Sequence, residues 1–144
     1  MKHTRKWILA LVTVAALALL GAGYAAQAAG REGGGSLADT KWVLASMGQG
    51  RPVFDDTATT LEIDAGYEVH GSAGCNRYMG TIEVDGDTLT FGPVGATMMI
   101  CPGEIMEQET AYLQALGTAS TFEIDADGLH VSYAGGVLTF VPAG

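Results

Sequence analysis

The chain has 144 residues, is 48% hydrophobic and carries a formal net charge of −9. All 16 acidic residues follow position 28, where the only basic residues are Arg31, Lys41, Arg51 and Arg77, so that part alone carries −12. Such a body excludes nucleic acid and anionic membrane surfaces as partners, because both are bound through clusters of Lys and Arg.

The first segment reads as a targeting signal. Lys2, Arg5 and Lys6 form a positive start, and Trp7 to Leu20 is an apolar run of secretory length. The run is short for a membrane span, which needs about 20 residues. Ala26-Gln27-Ala28 is an A-x-A cleavage pattern, with a cut after Ala25 as the alternative. An uncleaved N-terminal anchor is the other reading. Residues 1–28 are thus expected to be a signal peptide, His3 included, and 29–36 a flexible linker. Residues 37–142 then form one domain of an exported, soluble, monomeric protein, periplasmic or secreted. No cysteine near the cut would carry a lipid anchor, so no stable membrane attachment is expected after cleavage.

The body reads as short strands with period-two alternation. Lys41 to Met47 places Trp42 and Leu44 on one face. Gly48-Gln49-Gly50 turns, and Pro52 marks Arg51–Phe54 as an edge. Asp55 to Ala58 is a polar loop. Leu61 and Ile63 share a face of the next strand, and Tyr67 and Val69 point inward from the one after, with Glu68 and His70 outward. Thr81–Val84 and Thr88–Phe91 flank an Asp85-Gly86-Asp87 hairpin turn. Ala96 to Cys101 reads as one more strand. The period then changes. Pro102 suits the first helical position, Glu104 and Glu107 the first turns, and Gly117 the end, giving one helix at about 103–116. Its apolar face is Ile105, Met106, Tyr112, Leu113 and Leu116. Three strands close the chain: Thr121–Ile124, Leu129–Tyr133 with His130 outward, and Val137–Val141, with turns at Asp125–Gly128 and Ala134–Gly136. The expected class is mainly β, a curled sheet with one helix across it.

Trp42-Val43-Leu44, then Gly71-x-x-Gly74-Cys75-Asn76-Arg77-Tyr78-x-Gly80, then Thr97-x-Met99-x-Cys101 before an acidic helix ending Leu113-x-x-Leu116, resemble the META domain, found in HslJ-like bacterial heat-shock proteins. The resemblance covers about residues 38–141. It implies a small, half-open, buckled β-barrel of about seven to nine short, mostly antiparallel strands with one helix. It implies export, and an association with envelope stress, drug tolerance and virulence. It carries over no catalytic residues and no cofactor. Many members are lipoproteins, from which this chain departs.

In an oxidising compartment Cys75 and Cys101 pair as a disulfide, which for a loop of this size contributes about 3 kcal/mol. The alternatives are two buried thiols packed together, or a reactive thiolate at Cys75 activated by His70 or Arg77. Gly71, Gly74 and Gly80 supply a bulge and a sharp bend. Asn76 caps backbone groups, Tyr78 is core, and Arg77 holds a carboxylate or carbonyls, or contacts an anion or partner. Asp85–Asp87 and Asp125–Gly128 resemble fragments of a calcium loop but lack the other ligands. His70, His130, Cys75 and Cys101 lack zinc-site spacing, so no metal is expected. Met98 and Met99 beside Ile100 are expected in the core, with an apolar pocket in the barrel mouth as the other reading. The primary functional expectation is a non-enzymatic protein acting by interaction with another envelope protein. A carrier of a small apolar ligand is the alternative, and a cysteine-dependent enzyme the third.

Overall fold

A computed structural model describes residues 36–48, 50–54 and 58–144. The expected signal peptide, nearly all of the linker and most of the Asp55–Ala58 loop lie outside the described residues. The order is β1 (Thr40–Gly48), β2 (Arg51–Pro52), β3 (Thr60–Ile63), β4 (Glu68–Ser72), β5 (Arg77–Asp85), β6 (Thr88–Phe91), β7 (Gly95–Ala96), α1 (Gly103–Leu116), β8 (Ala119–Ile124), β9 (Leu129–Tyr133) and β10 (Gly136–Pro142). The fold is mainly β, and α1 has the expected bounds.

Every strand pairing is antiparallel. Eight strands run β1-β3-β4-β5-β6-β8-β9-β10, and β10 returns to β1 through six register pairs, so the barrel is closed and not half-open as expected. Ladder pairing continues to the end of the chain, where the Ala143 N–H donates to the Lys41 carbonyl at 2.8 Å. The thinnest seam is β6–β8. It has one register pair, Thr88 with Thr121, and a bond from the Phe122 N–H to the Asp87 carbonyl at 2.8 Å. Two short strands stand off the circuit: β2 on β1, at the edge as Pro52 required, and β7 on β5.

Alternation builds the core. Trp42, Leu44, Leu61, Ile63, Val69, Leu89, Phe91, Leu129, Val131, Leu138 and Phe140 all point inward and are buried. Helix α1 adds Tyr112, Ala115 and Leu116 to the same cluster. The Tyr112 ring meets Tyr78 and Phe140 edge-on, with centroids 5.7 and 6.4 Å apart.

Several local expectations are corrected. Tyr67 is not inward. It takes a positive φ of 61° in a turn that the Asp64 carboxylate holds by accepting the Gly66 and Glu68 N–H groups, and its side chain is exposed. The strand expected at Ala96–Cys101 stops after Ala96: the Thr97 N–H still reaches the Arg77 carbonyl of β5, but beyond it the Asn76 side chain, not a strand partner, takes the Met99 N–H and carbonyl. Pro102 is the N-cap, in extended conformation, one residue before the helix. Gly117 ends α1 without the left-handed turn usual for such a glycine, at φ −65°. The buried face of α1 runs through Gln108 and Glu109 as well as Tyr112, Ala115 and Leu116, so its centre is polar.

Candidate functional site

The glycine-framed stretch forms the β4–β5 hairpin, and its turn is locally determined. The Ala73 N–H donates to the Asn76 carbonyl at 2.7 Å, and Gly74 sits at φ 115°, which side chains rarely allow. The expected bulge is absent: Glu68 to Ser72 pair in unbroken register with Thr81 to Arg77. Gly71 serves a close approach instead. A methyl group there would overlap the Thr60 carbonyl, and its neighbour's N–H, on Ser72, donates to Thr60 Oγ1. Gly80 likewise lies under the Pro93 carbonyl and Val94.

Asn76 is the hub of the corner. Its Oδ1 accepts the Met99 N–H at 2.6 Å and the Thr97 hydroxyl at 2.8 Å. Its Nδ2 donates to the Met99 carbonyl at 3.2 Å and to Glu109 Oε1 at 2.7 Å. Glu109 Oε2 accepts the Asn76 N–H at 2.6 Å and the Cys75 N–H at 3.2 Å. Both residues are buried, Glu109 at 5% exposure. A buried carboxylate needs donors, and this one has three. Thr97 Oγ1 accepts the Arg77 N–H, and the Thr97 N–H donates to the Arg77 carbonyl. The Asn76 amide thus takes the place of a strand partner at Met99. Beside it Cys75 and Cys101 form a disulfide, with Cα atoms 6.0 Å apart. The sulfur is therefore not a free thiolate. His70 lies 3.7 Å from Glu62, which also pairs with Lys41 at 3.0 Å.

A second layer lies beneath. The Tyr78 hydroxyl donates to the Thr60 carbonyl at 2.9 Å, so the bond of 2.8 Å to Tyr112 is donated by Tyr112. Burial holds both phenols well above their ordinary pKa. Gln108 accepts the Phe54 N–H and donates to Thr59 Oγ1. Glu109 and Gln108 were not singled out from sequence. The legible signal was their position on the Ile105–Tyr112–Leu116 stripe, where a polar side chain must find partners.

The outer side differs. Met98 is 95% exposed, Ile100 96%, Met99 60% and Met79 69%. The expectation that Met98 and Met99 pack in the core is overturned: the backbone is clamped inward and the side chains are left outside. They do not line a barrel mouth either, and Trp42, Tyr78, Tyr112 and Phe140 fill the interior. Arg77 is exposed, and no ion pair holds it among the described residues. It stands with Met79 in an open groove of about 870 Å³ across β4, β5 and β7.

The second acidic turn stands away from this corner. Asp125 accepts the Asp127 and Gly128 N–H groups, and His130 reaches Asp125 at 3.2 Å and Thr139 at 3.4 Å. The Asp127 N–H, more than His130, holds the Asp125 carboxyl below its ordinary range. Among the described residues no three His, Cys, Asp or Glu side chains group as a metal site.

Comparison with known proteins adds the family. An NMR structure of a protein from Burkholderia xenovorans aligns with a TM-score of 0.62 at 27% identity, covering 84% of this chain and 97% of that one. A second NMR structure aligns at 0.58 and 25% identity, covering 70% and 86%. A comparison with curated proteins gives no match. The family model of the META domain matches residues 35–144, the span that holds the closed barrel, the stapled corner and the helix, and the chain belongs to the META domain family.

Proposed function

We propose that this is an exported protein that acts by binding another envelope protein through the loop Thr97–Pro102, without chemistry of its own. The observation that carries this reading is the division of labour at the corner. Apart from the exposed Arg77, the polar groups of the motif are spent on one another and on the helix: Asn76 on Glu109, Thr97 and Met99, and Cys75 on Cys101. What the loop itself presents to solvent is largely apolar, with Met98 95% and Ile100 96% exposed. A rigid loop with exposed apolar side chains loses little entropy on binding and gains from their burial. Methionine suits such a surface because its long, polarizable side chain adapts to a partner. The A-x-A pattern, the basic start and the apolar run support export. A role in stress or drug tolerance extends this reading by family association alone.

The test uses cross-linking in the native envelope with the wild-type chain and a Met98→Ser/Ile100→Ser double variant. The same partner should be captured by the wild type and lost with the variant, while both fold alike. Equal capture by the two would refute the loop as the contact. Fractionation and N-terminal sequencing test export, and an intact N-terminus in the cytoplasm would overturn it.

A further inference from the structure

We propose that Met98, Met99 and Met79 are reversible oxidation sites, whose conversion makes the outer surface around the corner polar without disturbing the fold. The chain has six methionines. Met79, Met98 and Met99 are 69%, 95% and 60% exposed, whereas Met47 is in the core at 8%. Both cysteines are already oxidised to a disulfide, so no thiol of this chain competes for an oxidant. The thioethers are then the reactive sulfur at the surface.

The reaction balances with hypochlorous acid as the two-electron oxidant. A thioether lone pair displaces hydroxide from chlorine to give a chlorosulfonium, which water converts to the sulfoxide. One oxygen is added to sulfur, and the chlorine leaves as chloride with a proton. A methionine sulfoxide reductase that draws on a dithiol reverses the step, releasing water and a disulfide.

The geometry separates this chemistry from stability. Met99 is held by its backbone, through the Asn76 bonds to its N–H and carbonyl, and those bonds do not involve the sulfur. Met98 touches solvent almost completely, and Met79 stands on the outer face of β5. Adding an oxygen to these sulfurs therefore changes what the surface offers and not what holds it. A sulfoxide is polar, so a contact that depends on apolar burial is lost. This last consequence rests on the docking reading, whereas the oxidation site does not.

The experiment treats the folded full chain with limiting hypochlorous acid and maps each methionine by peptide mass spectrometry. Met98, Met99 and Met79 should gain one oxygen at least about ten times faster than Met47. Circular dichroism should stay unchanged, retention on a hydrophobic column should fall, and the reductases for both sulfoxide epimers together with a dithiol should restore it. A Met79→Leu/Met98→Leu/Met99→Leu variant should keep its retention after the same treatment. Equal oxidation of Met47, unfolding in step with oxygen uptake, unchanged retention or failure of the reductase would each overturn the proposal. None of these measurements needs a partner, so a failure here is distinct from a failure of the docking reading.

Discussion

Glu109→Gln is the sharpest test of the corner, because it changes charge and one donor while keeping shape. The carboxylate accepts three N–H groups, two on Oε2 and one on Oε1. An amide nitrogen in either place meets a donor. Asn76 cannot turn over to help, since its Oδ1 is needed by the Met99 N–H and the Thr97 hydroxyl. The substitution therefore removes at least one charge-assisted bond, about 2 kcal/mol, and leaves a buried donor unmet, about 1–2 kcal/mol more. Urea unfolding followed by circular dichroism should show a loss of about 3 kcal/mol with an unchanged slope. Amide exchange should rise at Cys75, Asn76 and Met99 before the barrel strands. A loss below about 0.5 kcal/mol would refute the reasoning, because it is the scatter of ordinary surface changes.

Replacing Cys75 and Cys101 together by Ala should cost about 3.5 kcal/mol for their separation of 26 residues in the chain-entropy model, read by the same unfolding curves. Gly71→Ala should lose about 2–3 kcal/mol, since its methyl group would meet the Thr60 carbonyl, and a neutral result would mean the strands can part there. Tyr78 and Tyr112 have folded pKa values raised above 10.0. The folded state then keeps protons that the unfolded state releases, so stability is complete below about pH 10 and falls as pH rises beyond it. An alkaline titration should show these two phenols ionising only with unfolding. Asp125 has a lowered pKa, so its contribution to the β8–β9 turn is present above 3.8 and is lost as pH falls through the lowered value. Asp125→Asn should remove that acid dependence, measured by amide exchange at Asp127 and Gly128.

The alternation of polar and large apolar residues located most of the strands, because along an unbroken ladder a residue's side of the sheet depends on parity; in β1 a register shift between Leu44 and Ser46 breaks it and turns Met47 inward. Alternation therefore placed Trp42, Leu61, Val69, Leu89 and Phe140 correctly, and the change of period at Pro102 bounded the helix. The pairing of Cys75 with Cys101 was legible as one of three readings, and geometry selected it. Parity failed where the backbone left a strand. Tyr67 follows a turn and points out. Met98, Met99 and Ile100 look like core but hang from a segment held by an asparagine, so no sheet decides their direction. Glu109 was invisible for a related reason: its partners, Cys75 and Asn76, lie more than 30 residues away, and an acidic residue on a helix looks solvated until a second element covers it. The sequence by itself determined which residues could face inward. Only the tertiary structure decided that this corner would bind its own polar groups and leave its methionines outside, because that outcome depends on three segments, the hairpin turn, the loop at Thr97–Met99 and the helix at Glu109, meeting at the buried Asn76 amide.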